Sequence, residues 1–395
     1  MIYLDHAATT PLAPEVAEAM APWLTAGAVG NASSLHAAGR RARAAVEDAR
    51  DRVAAAVGVT PLEVLFTSGG TEADGSAIKG LVWAARQAGR GTAVVTTAIE
   101  HHAVLESCEW LADHQGVDVT AVGVEPDGIV DADRLLDAVD DAGAGDTALV
   151  SVMAANNELG TLQPLDVIGP ALAERGVALH TDAVQAFGRI PLAVDVWQPT
   201  AMALSAHKFG GPTGVGVLVL RRDATPHPLL HGGAQERGVR SGTLNVAGIV
   251  GLGVAAELAA RRQPAEHDRV SALRDRMIAA LTAIDGIALN GHPERRLPGH
   301  VHLAVTGVDA ETLLMALDRA GVACSTGSAC QSGAARRSHV LDAIGAAADA
   351  AHIRLTLGAT TTADDVDAAT RIVADAVAGL TADSVGAVSG PDGEG

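Results

Sequence analysis

Four short segments hold the side chains best suited to chemistry. Ser205-Ala206-His207-Lys208 places a hydroxyl, an imidazole and an amine within four residues. Asp182 and Gln185 lie close together, Asn156-Asn157-Glu158 gathers two amides and an acid, and Ser68-Gly69-Gly70-Thr71-Glu72 joins a glycine pair to two hydroxyls. Taken singly, a lysine at a strand end is ordinarily solvated, Asn and Asp form turns, and a Gly-containing turn before a helix can simply be capped by Thr71. Taken together they meet a specific demand. An amine that forms a Schiff base, a carboxylate that keeps a pyridine nitrogen protonated, and backbone N–H groups aimed at an anion are what pyridoxal phosphate requires.

Other candidates fall away on spacing. His101 and His102 are adjacent and lack a third and fourth ligand at usable distance along the chain, so no metal is expected. The glycines of Gly210-Gly211-Pro212-Thr213-Gly214-Val215-Gly216 match neither a dinucleotide fingerprint nor a Walker loop. Cys330 lies in the small-residue run from Cys324 to Arg337, which has no core periodicity and suits a thiol that must travel. Cys108, in the helix-patterned Val104 to Leu111, and Cys324 read as packed small hydrophobes.

The positioning elements alternate. Strand-length apolar runs at Val64 to Thr67, Ala93 to Thr97, Ala148 to Met153, Val177 to Thr181, Ala201 to Ser205 and Val215 to Leu220 lie between Ala-rich helical patterns. Helices are predicted at Ala13 to Met20, Arg40 to Val57, Ala73 to Gln87 and Asp131 to Val139. This is an α/β pattern, a largely parallel sheet with helices on both faces, and its ligands bind beyond the carboxyl ends of the strands. After about residue 250 the texture shifts to a smaller α+β unit. It has a long helix to Ile284, a strand at His300 to Val305, a helix at Ala310 to Ala320, a strand at Ile353 to Leu357 and a last helix from Ala363 to Ala378. The expected division is 15–250 for a large domain, 1–14 with 251–380 for a small one carrying the Cys330 segment, and 381–395 for a disordered tail.

The chain has 395 residues, enough for two or three domains. Its 47 acidic against 28 basic side chains give a net charge of −19, which disfavours nucleic acid and anionic membrane as partners. Aromatic residues make up only 2%, too few for base-stacking platforms. The start, Met1-Ile2-Tyr3-Leu4-Asp5, has no signal-like apolar region, and the apolar stretch Val246 to Ala256 is too short to span a bilayer. With three cysteines, an odd and sparse set, the expected compartment is the cytoplasm.

The sequence resembles the cysteine desulfurases of the NifS/IscS type, in the class V branch of fold type I pyridoxal-phosphate enzymes. The likeness runs from Tyr3-Leu4-Asp5 to the helix ending near Ala378 and rests on several stretches in order. These are Thr67-Ser68-Gly69-Gly70-Thr71-Glu72, Glu100-His101-His102-Ala103-Val104, Asn156-Asn157-Glu158-Leu159-Gly160, Thr181-Asp182-Ala183-Val184-Gln185, Ser205-Ala206-His207-Lys208, Gln235-Glu236-Arg237-Gly238, Arg240-Ser241-Gly242-Thr243 and Ser328-Ala329-Cys330.

The resemblance implies a large domain with a mainly parallel seven-stranded sheet and a smaller α+β domain. It implies that Lys208 holds the cofactor covalently, that Asp182 pairs with the ring nitrogen, that Gln185 bonds the phenolic oxygen and that His101 stacks on the ring. Gly70, Thr71, Ser205 and His207 would bind the phosphate, with Thr243 reaching it from the second subunit of a homodimer. Asn157, Arg354 and Asn31 would hold the carboxylate of L-cysteine, and Cys330 would take its sulfur as a persulfide. Partners would be a sulfur acceptor: an iron–sulfur scaffold, a tRNA-thiolating enzyme or a sulfur carrier. The spacing from Cys330 to Ser338-His339-Val340-Leu341 resembles the long catalytic segment of group I members. Departures from the family stand at His6, Gly75, Thr213 and Arg336-Arg337. A selenocysteine lyase or aminotransferase would keep Lys208 and Asp182, whereas a non-catalytic scaffold would be expected to lose Lys208, Cys330 or Arg354.

Overall fold

The computed structural model describes residues 1–143, 145–326 and 337–388. Its strands in chain order are β1 (Ile2–Tyr3), β2 (Val64–Thr67), β3 (Ala93–Thr97), β4 (Val119–Val122), β5 (Thr147–Ser151), β6 (Leu179–Asp182), β7 (Ala201–Ser205), β8 (Gly216–Leu220), β9 (Ile287–Leu289), β10 (His300–Thr306), β11 (Val322–Ala323) and β12 (Ala350–Thr356). Seven of them form one sheet in the order β2-β8-β7-β6-β5-β3-β4. Pairing is parallel from β7 through β6, β5 and β3 to β4, and antiparallel where β8 joins β7 and β2.

Period-2 alternation sorts the side chains of this sheet between two cores. Leu65, Val94, Leu149, Ala203 and Leu218 face the helices Gly70–Gln87 and His102–Gln115. Phe66, Val95, Val150, Leu204 and Val217 face the opposite core, built with the helices Ala37–Val57 and Leu165–Glu174. With both faces covered, the central strands are buried along their whole length, which is why they read as unbroken apolar runs. β4 differs. It is an edge strand with an exposed Thr120-Ala121 pair, and that short, half-polar pattern gave no strand signal.

A second core forms around the antiparallel order β12-β10-β9, with Val301, Leu303, Val305, Ile353 and Leu355 as its centre. Leu4 belongs to this core, and β1 pairs in parallel with β11, so the first residues pack with the last third of the chain. The helix Val246–Thr282 serves both units. Ile249, Leu252 and Ala256 sit in the first core, while Val270, Met277 and Leu281 sit in the second. The expected boundary after residue 250 therefore falls inside one continuous helix, which carries Pro264 in its interior.

The last helix, Ala363–Val388, extends eight residues into the stretch expected to be a disordered tail. Extending an existing helix adds one hydrogen bond per residue fixed and needs no new nucleus, so a Gly/Ser/Asp-leaning composition did not end it. No helix among the described residues is long and apolar enough to cross a membrane.

Candidate active site

The carboxyl ends of β2, β3, β6 and β7 open onto one cavity of about 370 Å3. Gly70, Thr71, His101, Asn157, Asp182, Gln185, Ser205, His207, Lys208 and Arg354 all line it, so ten of the residues singled out in the sequence converge. Ala7, Ala8, Asp74, Met153 and Val184 complete the wall.

Each part is held by local structure. The Gly70–Gln87 helix starts at N-cap Gly69, two residues earlier than a Thr71 cap would place it, and no side chain caps it. Its first N–H groups therefore face the cavity with the positive end of the helix dipole behind them. Two glycines permit this approach. A Cβ on Gly70 would lie 2.9 Å from Val184 Cγ2, and one on Gly216 would lie 2.6 Å from the Gly69 carbonyl carbon. Glu72 steadies the turn by accepting the Ser68 N–H at 2.8 Å while Arg240 Nε donates to its other oxygen at 2.8 Å.

Asp182 ends β6, is buried, and accepts the Val184 N–H at 2.8 Å. Burial pushes its carboxyl upward; His101, the Val184 N–H and Lys208 pull the other way. Lys208 Nζ donates to the carbonyls of Ala7 and Ala8 at 2.6 and 2.8 Å, so the amine is steered by the N-terminal segment. Gln185 Nε2 donates to the Ala7 carbonyl at 2.9 Å. His101 caps the His102–Gln115 helix by accepting the Ala103 N–H at Nδ1, and burial holds its imidazole below the ordinary range. Burial, with help from Lys208 and Arg189, brings His207 down to about 4.

Arg354 comes from β12 in the second unit and is 3% exposed. Its Nη1 donates to the Asn157 carbonyl at 2.9 Å and its Nη2 to Asp5 Oδ1 at 2.9 Å. Nε has no hydrogen-bond partner among the described residues.

Two expected residues lie elsewhere. Asn31 is exposed, accepts the Ser33 N–H through its own Oδ1, and does not line the cavity; it sits in the loop before the Ala37–Val57 helix. Thr243 is exposed and also outside the cavity of its own chain. Cys330 lies outside the described residues. Sequence reasoning missed Asp5 and Asp74. The signal for Asp74 was present, a lone carboxyl on a helix face otherwise made of Ala73, Ala77, Ile78 and Leu81. Asp74 and Asp182 also give His101 carboxylate neighbours, with one donor atom of each residue within 4.8 Å of the others, a grouping invisible in linear spacing.

An open helix N-terminus, a buried carboxyl and a strand-end lysine around one cavity define a pyridoxal-phosphate site of the fold type I kind, and the residues present fit that group: N–H donors for its phosphate, Asp182 for its ring nitrogen, Lys208 for its aldehyde. The Aminotransferase class-V family pattern matches residues 2–369, and the chain belongs to that family, whose members are pyridoxal-phosphate dependent. It is 48% identical over 383 residues to the IscS-like cysteine desulfurase of Mycobacterium tuberculosis, covering 96% of both chains. To the cysteine desulfurase IscS of Methanosarcina thermophila it is 44% identical over 378 residues, 95% of this chain and 92% of that one. A solved NifS-like protein superposes with a TM-score of 0.87 at 33% identity, over 95% of this chain and 99% of the other.

Proposed function

We infer that the chain is a pyridoxal-phosphate-dependent cysteine desulfurase that converts L-cysteine to L-alanine and leaves the sulfur as a persulfide on Cys330. The observation that carries this reading is the convergence of Lys208, Asp182, His101 and Arg354 on one cavity, in a chain that shares nearly its full length with cysteine desulfurases.

When bound, the cofactor supplies a carbonyl for the substrate amine and a protonated ring that accepts the electron pair released at the α-carbon. The remaining work belongs to the chain. Arg354, set by Asn157, presents guanidinium N–H groups to the substrate carboxylate. His101 stands at the cavity wall, where its ring N–H would serve in proton transfer, and the Lys208 amine would offer a base beside it. The Cys330 thiolate attacks the substrate sulfur, forming an S–S bond. The C–S bond breaks with its electron pair passing to the β-carbon, which takes up a proton to complete alanine. Electrons balance without an external oxidant, since the transferred sulfur goes to the zero-valent persulfide level as the β-carbon is reduced to methyl.

The reading includes a homodimer in which exposed Thr243 completes the partner's phosphate site, with Asn31 near the substrate only in that assembly. It also includes the two-domain division given above, a cytoplasmic location, and a sulfur-acceptor protein serving iron–sulfur cluster assembly or tRNA thiolation. The test combines three measurements on the purified protein: light scattering for the dimer, borohydride reduction with peptide mapping for Lys208, and intact-mass analysis after L-cysteine. A pyridoxyl group on Lys208, with alanine and Cys330 persulfide formed one for one in a single turnover, is the expected result. Label on another residue, or alanine formed without persulfide, would overturn it.

A further inference from the structure

The cavity holds a second buried carboxyl, Asp74, to which the reaction above gives no part. It lies one turn into the Gly70–Gln87 helix, 1% exposed, on the face that packs against the sheet. His180 and Asp182 stand two residues apart on β6 and so point to that same face. His180 Nε2 is 3.3 Å from Asp74 Oδ1, and His180 Nδ1 is 2.8 Å from Ser151 Oγ on β5. Neither the Asp74 oxygen nor the His180 nitrogen has a hydrogen-bond partner among the described residues. From the end of β3 come Glu100, with Oε1 accepting the Thr97 hydroxyl and the Met153 N–H, and His101; from the end of β7 comes Lys208.

Three buried carboxyls thus surround a site with one lysine and a neutral imidazole. Two adjacent carboxylates in a low-dielectric interior repel strongly, so Asp74 and Asp182 retain a proton between them. Their surroundings decide which one holds it. Asp182 accepts an N–H bond and faces His101 and Lys208, all of which favour its charged form. Burial acts first on Asp74, and the ionisable groups that push in the same direction, Asp182 and Glu100, are both acids.

We propose that Asp74 is a neutral carboxylic acid and a positioning residue of the cofactor site: it keeps the proton of the Asp74–Asp182 pair, leaving Asp182 ionised for the ring nitrogen, and its hydroxyl closes a polar chain through His180 to Ser151. This rests on reading Asp182 as the ring-nitrogen partner. The protonation of Asp74 itself does not.

The primary test uses infrared difference spectra of the cofactor-free protein, wild type minus Asp74→Asn, in H2O and D2O at mildly alkaline pH. The expected difference is one carboxylic-acid carbonyl band that shifts on deuteration, with no loss of carboxylate intensity; a lost carboxylate band overturns the proposal. Should the variant not fold, 13C NMR of wild-type protein labelled at aspartate Cγ serves instead. There one aspartate is expected to remain protonated where all others have titrated, and full titration overturns it. In the loaded enzyme, Asp74→Asn, which mimics a neutral acid, is expected to keep cofactor affinity within about threefold and the absorbance unchanged, while Asp182→Asn weakens affinity about tenfold or more. Equal losses in the two variants would overturn the positioning role. A divalent ion that survives dialysis in the wild type and is absent from Asp74→Asn would place an ionised Asp74 on a metal and overturn the proposal as well.

Discussion

Arg354 reaches Asp5 through a 2.9 Å hydrogen bond, so the guanidinium expected to receive the substrate carboxylate already has a carboxylate of the chain beside it. The two acids compete for one cation. Asp5→Asn keeps the shape and an oxygen acceptor but removes the rival charge, and the KM for L-cysteine is expected to fall. A rise in KM would show that Asp5 chiefly orients the guanidinium. Arg354→Lys loses the planar fork and should lower kcat/KM by about 10- to 100-fold with the bound-cofactor spectrum unchanged.

The thiols differ in what burial does to them. Burial pushes Cys108 and Cys324 up to about 12, far from a usable thiolate near neutral pH. Cys108→Ala and Cys324→Ala are therefore expected to retain turnover, while Cys330→Ala binds cofactor and L-cysteine but releases no sulfide and forms no persulfide. Stopped-flow absorbance beside sulfide and alanine yields checks this, and wild-type sulfide release from Cys330→Ala would assign the attack to another thiol.

Glu100 gives a pH signature. It is fully buried, and burial raises its carboxyl to about 8, partly opposed by the Met153 N–H and the Thr97 hydroxyl. The unfolded chain releases that proton near pH ~4.3, so the folded state binds more protons than the unfolded between there and about 8. Stability from this group is fully present below that window and is lost as pH rises through it. Glu100→Gln preserves an oxygen acceptor and is expected to flatten the decline, measured as urea midpoints of the cofactor-free protein across the window.

Glu236 clamps the loop that carries Thr243. Arg50 donates to both of its oxygens at 2.9 and 2.8 Å, and the Phe66 N–H donates to one of them at 2.8 Å. The clamp holds a tight bend in which Ala234, Glu236 and Arg237 all have positive φ, between 45° and 57°. Removing one member of a buried pair leaves the other charge uncompensated, so Glu236→Ala is expected to cost about 3–5 kcal/mol in denaturant titrations. The same variant should lose cofactor more readily if Thr243 serves the partner subunit.

Much of the site was legible because an α/β sheet places its chemistry at strand ends, and the strands that carry it follow short apolar runs that end in polar residues. β6 into Asp182 and β7 into Ser205 need nothing beyond that rule. Relationships between distant segments were not legible. Nothing local marks Asp5 as the partner of Arg354, since the contact spans 349 residues, and the Asp74–His180 proximity depends on which way a helix faces its sheet. The strand pairing of Ile2 and Tyr3 with Val322 and Ala323 was silent for the same reason, two residues being too few to show a period.

That N-terminal segment also fixes the order of assembly during synthesis. The carbonyls of Ala7 and Ala8 that steer Lys208 are made long before Thr356, yet this segment is tied down by the Thr356 hydroxyl, which accepts the Ala7 N–H, and by the Thr356 N–H, which donates to the Leu4 carbonyl. A nascent chain halted before Thr356 has Lys208, Asp182 and the phosphate turn in hand but no anchored floor beneath the amine. The seat of the amine is therefore completed only when contacts such as Ala7 to Thr356, 349 residues apart in sequence, have closed, and such long-range closure is slow.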